Sequence, residues 1–206
     1  MIELSDEQQA VVDEVVSGAS QVVLCSGFAG SGKSVITRRL QDLIPNTIVA
    51  CYSGIAANNI GGQTACSLFG IPTTFVIDPK YMDAKRVRSK DPYAKHFNRA
   101  DKKSREPWEP VKHKVLRSAS LLILDEVYSI RCDHIDFIDK TMRQAMKKPT
   151  LPFGGIRVFM TGDEGQSQAI AKPNEKVLLS EYGYASPFNF WEAKIFRGED
   201  QMELEV

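Results

Sequence analysis

The sequence predicts an α/β domain with a mostly parallel central sheet flanked by helices, and three observations carry that prediction. Predominantly apolar runs at 22–25, 47–51, 121–124 and 156–160 have the composition of strands buried on both faces. The segments between them place apolar residues at helical spacing, so strands and helices alternate. A glycine-rich turn at 27–34 joins the first strand to a helix, and in parallel sheets ligands collect at the carboxyl ends of strands. The 206 residues, 43% hydrophobic and 25% charged, suffice for one such domain with a decoration.

The elements follow in order. Ser5-Asp6-Glu7-Gln8 is a capping box, with Ser5 as N-cap and Gln8 three positions into the helix. Ala10, Val11, Val12, Val15 and Val16 supply its apolar side, and the helix should end near Gly18. Val22-Val23-Leu24-Cys25 is the first strand; Val35, Ile36, Leu40 and Leu43 form the stripe of the next helix, which Pro45 stops. Thr47 to Cys51, Leu121 to Leu124 and Ile156 to Met160 are the further strands. A stretch at 78–110 breaks the rhythm with Pro79, Pro92, Pro107 and Pro110 and interleaved Tyr81, Tyr93, Phe97 and Trp108. It is expected to be an inserted basic subdomain or mobile loop between two parts of one domain, 1–77 and 111–206.

Composition excludes several classes. No run approaches the ~18 apolar residues of a membrane span, and the N-terminus lacks a basic segment followed by an apolar one. Cys25, Cys51, Cys66 and Cys132 form no C-x-x-C pair, so they are expected to be reduced intracellular thiols rather than disulfide or zinc partners. Net charge is zero, yet residues 78–117 hold 13 Lys/Arg against 6 Asp/Glu, a basic bias suited to nucleic-acid backbone and base stacking or to a solvated excursion.

The turn Gly27-Phe28-Ala29-Gly30-Ser31-Gly32-Lys33-Ser34 matches the phosphate-binding pattern G-x-x-x-x-G-K-[ST]. Its glycines let backbone N–H groups curl around phosphates while the following helix points its positive end at the same anion. Lys33 would reach the β/γ-phosphates of a nucleoside triphosphate, and Ser34 would place its hydroxyl on a magnesium ion. Asp125 and Glu126 follow the third apolar run. There Asp125 suits the metal and Glu126 the attacking water. Gln166, after the fourth strand, can accept from a water and donate to a γ-phosphate.

Together these segments resemble the superfamily-one, class B DNA helicases of the RecD/Dda type, most closely their petite-integration-frequency (Pif) branch. Residues 4–8 are similar to that family's glutamine motif, 27–34 to motif I, 53–64 (Ser-Gly-Ile-Ala-Ala-Asn-Asn-Ile-Gly-Gly-Gln-Thr) to motif Ia, 125–126 to motif II, and 162–166 to motif III. Residues 203–206 resemble the approach to motif IV. The resemblance implies a RecA-like first motor domain that takes ATP and Mg2+. Gln8 would touch the adenine, Lys33 and Ser34 the phosphates and metal, Glu126 the water and Gln166 the γ-phosphate. Ser53, Gly54, Asn59, Thr64 and Ser67 would meet single-stranded DNA, with hydroxyls and backbone amides suited to phosphate contacts. Cys66 stands where the family usually has His, and Glu164-Gly165 and Ser167-Gln168-Ala169 depart from its motif III.

The resemblance further implies a DNA-associated intracellular monomer, stepping 5′ to 3′, whose second RecA-like domain lies beyond Val206. Without the transition-state arginine of that second domain, weak binding and slow turnover are expected. A nucleotide-binding module without motor activity and a RecD/relaxase-type helicase domain are the alternatives; a small-molecule kinase would leave the 53–64 segment unexplained.

Overall fold

The computed structural model describes residues 4–71, 110–166 and 168–197. Of the segment expected as an insertion, 78–110, Pro110 alone is described; residues 203–206 and Ser167 also lie outside the described residues.

Five parallel strands form one sheet in the order β1-β5-β4-β2-β3. They are β1 (Val22–Ser26), β2 (Thr47–Cys51), β3 (Gln63–Thr64), β4 (Leu121–Asp125) and β5 (Arg157–Gly162). Four of them are the apolar runs of the sequence, as a sheet covered on both faces requires. Leu121, Leu122, Ile123 and Leu124 are fully buried, and burying such side chains is worth about 1.5–3 kcal/mol each. β3 has no apolar run to announce it. It is two residues long and pairs with the end of β2 through Ala50–Gln63 and Cys51–Thr64.

Helix α1 (Asp6–Ser17) carries the expected capping box: Gln8 N–H donates to Ser5 Oγ, and Ser5 N–H donates to Gln8 Oε1. Gly18 ends it in the left-handed conformation, φ 70°, which costs glycine nothing. Helix α2 (Lys33–Leu43) stops at Ile44, one residue before Pro45. Its buried residues are Ile36, Thr37 and Leu40, with Ile44 just beyond; Leu43, expected in the stripe, is 43% exposed.

Helices α3 (Gly54–Asn59) and α4 (Ala65–Phe69) are short, with Ser53 and Thr64 as their N-caps. Helices α5 (Pro110–Ser118), α6 (Cys132–Met146) and α7 (Pro173–Glu181) complete the set. Alternation along the strands sends Leu121, Ile123 and Phe159 into a core with Val12, Val15, Ile36 and Leu40, beneath α1 and α2. Leu122, Leu124, Val158 and Met160 point the other way, against Leu116 of α5 and Ile135, Ile138 and Met142 of α6. Because every strand runs the same way, the phosphate loop, the acidic pair and the residues after β2 and β5 emerge along one edge.

Candidate nucleotide site and DNA-facing edge

Strand register brings the site together. Ser26 pairs with Gly162, Cys51 with Asp125 and Thr64 with Cys51, so the carboxyl ends of the strands line up along one edge of the sheet. From that row the chain turns into the loop at 27–34, whose start is anchored by the Gly27 N–H donating to the Gly162 carbonyl at 3.2 Å.

Gly30 and Gly32 have φ of 84° and 90°, the left-handed turns for which the loop needs glycine. Gly32 is the N-cap of α2, with no side-chain cap and no acidic residue in the first turn. The positive end of α2 is therefore left open to an anion. The Lys33 ammonium donates to the carbonyls of Gly27 (2.5 Å) and Phe28 (2.8 Å) and to Ser31 Oγ (3.3 Å). Ser34 is exposed at the head of α2, as are Ala29, Gly30 and Ser31.

Gln8 reaches this loop directly. While its Oε1 closes the capping box, its Nε2 donates to the Ser31 carbonyl at 3.1 Å. A Cβ on Gly32 would collide with that amide, so the close approach of α1 depends on glycine there.

Asp125 accepts the Thr161 hydroxyl at 3.3 Å. Burial pushes its carboxyl above the ordinary aspartate range; hydrogen bonds from the Glu126 N–H and Thr161 and the charge of Lys33 oppose the shift, while the charge of Glu126 adds to it. The beneficiary would be a cation, since a half-buried carboxylate with few donors gains most from one. Cys51, beside it in the row, has its thiol pushed up to about 12 by burial and by the charges of Asp125 and Glu126. It stays protonated near neutral pH and supplies no nucleophile.

Glu126 adopts φ 56°, ψ 40°, left-handed backbone that a glutamate rarely takes. Its Oε2 accepts the Ser53 hydroxyl at 3.0 Å. Gln166 is exposed, and its Nε2 donates to Asp163 Oδ2 at 3.2 Å while Asp163 Oδ1 accepts the Gly165 N–H at 2.9 Å.

The residues expected at DNA lie on α3, β3 and α4. Gly54 faces open space, with nothing within 4 Å of where a Cβ would stand, and Ile55 is 78% exposed. Asn59 and Ser67 are exposed; the Asn59 carbonyl accepts from Arg38 at 3.3 Å, and Thr64 Oγ1 accepts the Ser67 N–H at 3.2 Å. Ser53 is different in kind, because its hydroxyl is engaged by Glu126 and by the Ala56 N–H.

Three contributors escape sequence reasoning. Thr161 could have been found from its place at a strand end beside Asp125. Asp163 lay inside a recognised segment, but its task of bracing the turn through Gly165 and Gln166 is a matter of geometry. Tyr128 gave no signal: its hydroxyl donates to Ser26 Oγ at 2.9 Å, its ring packs edge-on to Phe190 and Trp191, and a Cβ on Gly162 would stand 2.5 Å from it.

A phosphate loop after β1, an acidic pair at the end of β4 one strand removed, and an all-parallel sheet make this a RecA-like nucleotide-binding domain of the P-loop class. A family model described as PIF1-like helicase matches residues 3–102. ATP-dependent DNA helicase PIF1 of Danio rerio is 29% identical over 175 residues, covering 84% of this chain and 24% of that protein. ATP-dependent DNA helicase PIF7 of Trypanosoma brucei brucei is 30% identical over 179 residues, covering 84% and 16% respectively. The crystal structure of Pif1 helicase from Bacteroides in complex with ADP-AlF3 and ssDNA superposes with a TM-score of 0.76 at 30% identity, covering 95% of this chain and 40% of that one. The chain is a Pif-like helicase domain of superfamily one. It spans about a quarter or less of the length of these curated relatives.

Proposed function

We propose that this chain is the ATP-binding first motor domain of an ATP-dependent DNA helicase, in which hydrolysis drives single-strand translocation, 5′ to 3′, and duplex unwinding. The observation that carries this reading is the register row that sets Asp125 and Glu126 at the strand ends beside the Gly27-to-Ser34 loop. Lys33 and the open N-terminus of α2 bind the β- and γ-phosphates, holding the leaving group in place. Glu126 accepts the proton of the attacking water, and Gln166 bonds the γ-phosphate and that water. Gln8 turns its amide toward the adenine.

The donor set fits magnesium. Ser34 and Asp125 offer hard oxygens, burial disfavours the bare Asp125 carboxylate, and no cluster of three or more His, Cys, Asp or Glu among the described residues could hold a metal alone. That suits an ion bound by one or two protein oxygens and the nucleotide's own phosphates. When bound, it neutralises charge on the phosphoryl group as that group transfers.

One wall of a motor cleft does not supply the transition-state arginine, which contributes about three to five decades in rate. The relatives are several times longer than this chain, so a second RecA-like domain is the natural source of the other wall. Single-stranded DNA runs along α3, β3 and α4. Residues 1–206 alone therefore bind Mg-ATP or ADP and turn over slowly. The test is titration of this chain with a fluorescent ADP analogue, then ATPase assays with and without single-stranded DNA. Saturable, Lys33-dependent binding with little turnover is expected; absence of binding, or robust DNA-stimulated hydrolysis by residues 1–206 alone, overturns the reading.

A further inference from the structure

We propose that Ser53 is a positioning residue for hydrolysis, setting the direction of the Glu126 carboxylate and tying it to the start of α3 on the DNA-facing edge. The proposal rests on Glu126 being the group that accepts the water's proton.

The geometry is specific. A serine hydroxyl has one proton to donate, and here it goes to Glu126 Oε2 at 3.0 Å, across 73 positions of sequence. Ser53 Oγ in turn accepts the Ala56 N–H at 3.2 Å and so caps α3. One atom thus joins the helix start to the carboxylate. On the Glu126 side, the left-handed backbone fixes where Cβ points, leaving the side-chain torsions to decide where the oxygens lie. The Ser53 bond selects among those torsions and leaves Oε1 for water. A base held within hydrogen-bond reach of its proton is what the reaction needs, and small misplacements are costly.

The other end of α3 is tied elsewhere. The Asn59 carbonyl accepts from Arg38 and the Ile60 carbonyl from Gln41, both on α2, the helix that begins with Lys33. At the Ser53 end stand exposed Ile55 and Gly54 with open space around it. A strand of DNA laid on exposed Gly54 and Ile55 bears on the start of α3, and through the Ser53 cap on Glu126. DNA occupancy then reaches the hydrolytic base through a single hydroxyl.

The experiment uses the complete polypeptide with both motor domains, comparing wild type with Ser53→Ala, Ser53→Gly and Ser53→Thr. Alanine and glycine both remove the hydroxyl, but glycine is nearly as good an N-cap as serine, so it separates capping from carboxylate positioning. Expected are a DNA-stimulated kcat lowered roughly tenfold in Ser53→Ala and Ser53→Gly, within the ~100-fold that an ångström of misplacement costs. The KM for ATP and the Kd for single-stranded DNA stay within about twofold, as for substitutions that touch neither ligand. Ser53→Thr, which keeps the hydroxyl, retains the wild-type kcat.

Recovery of kcat in Ser53→Gly assigns the serine to capping alone and overturns the proposal. So does a weakened DNA Kd with kcat preserved at saturating DNA, which makes Ser53 a plain DNA contact, or a Ser53→Thr as slow as Ser53→Ala. A wild-type polypeptide that hydrolyses no ATP in the presence of DNA removes the functional reading itself, and that failure is visible before any variant is compared.

Discussion

At the carboxyl edge of the sheet, charged side chains are held by neutral groups, whereas on the far face, under α6, they are held by opposite charges. Lys33 rests on two carbonyls and a hydroxyl, and Asp125 and Glu126 each accept a hydroxyl. Arg131, 4% exposed, instead lies between Asp133 (2.7 Å) and Glu175 (3.1 Å), and Arg143 grips Asp139 at 2.8 Å. The buried Asp139 also accepts the Phe153 N–H, bracing a turn at φ 46°. The second arrangement neutralises its charge internally and so serves the fold. The first leaves charge to be neutralised from outside, which is the condition for binding a ligand.

If that division is real, substitutions at the edge change function with little effect on stability, and substitutions under α6 do the reverse. The largest effect expected is for Glu126→Gln in the polypeptide with both motor domains: steady-state ATPase should fall by about 10²–10⁴-fold, the contribution of a general base, with nucleotide affinity and melting temperature kept. Asp133→Ala strips Arg131 of its bidentate partner and should cost about 3–5 kcal/mol in urea denaturation, while the folded fraction binds nucleotide normally. An unchanged denaturation midpoint would erase the distinction between the two regions.

Asp136 offers a sharper probe of the buried face. It accepts Tyr184 Oη–H at 2.7 Å and the Lys194 and Ile195 N–H groups at 3.1 Å, yet burial raises its carboxyl to about 6. The folded protein therefore holds this proton where the unfolded chain, near ~4, has released it. The associated stability is full below ~4 and is lost as pH rises through about 6. Between pH 4 and 7 the wild type should lose on the order of 3 kcal/mol relative to Asp136→Asn; parallel stability curves for the two proteins would show that Asp136 does not titrate in this window. The smallest effect expected is for Lys33→Ala. Loss of charge-assisted bonds to phosphate should weaken ADP binding by about 10–100-fold in a fluorescence titration, without lowering the denaturation midpoint.

The same division explains what the sequence made legible. Buried parallel strands need mostly apolar runs, so four strands and their order of appearance could be read directly, and the Ser5/Gln8 box and Gly18 marked the ends of α1. The loop at 27–34 was legible because its pattern is local: eight consecutive residues carry it. Contacts across the fold were not. Nothing about Ser53 announces a partner 73 residues away, Tyr128 gives no hint of Ser26, and β3 is defined by pairing with β2 rather than by its own composition. Nothing in the sequence singles out Asp133, Asp136 or Asp139, whose partners Arg131, Tyr184 and Arg143 only the fold reveals. Leu43 fails in the opposite sense, since apolar spacing named it for the core and Ile44 took the place.

Lys33 shows what the carbonyl contacts imply for rates. Its ammonium already holds Gly27 and Phe28, so a phosphate that engages it takes part in an exchange of partners, not a simple gain. The free-energy difference between the two settings is smaller than the new bonds suggest, and the old acceptors are at hand to recapture the amine when the phosphate departs. Under the proposed function, a loop built this way would keep its curvature between ligands and release product readily, as repeated cycles would demand.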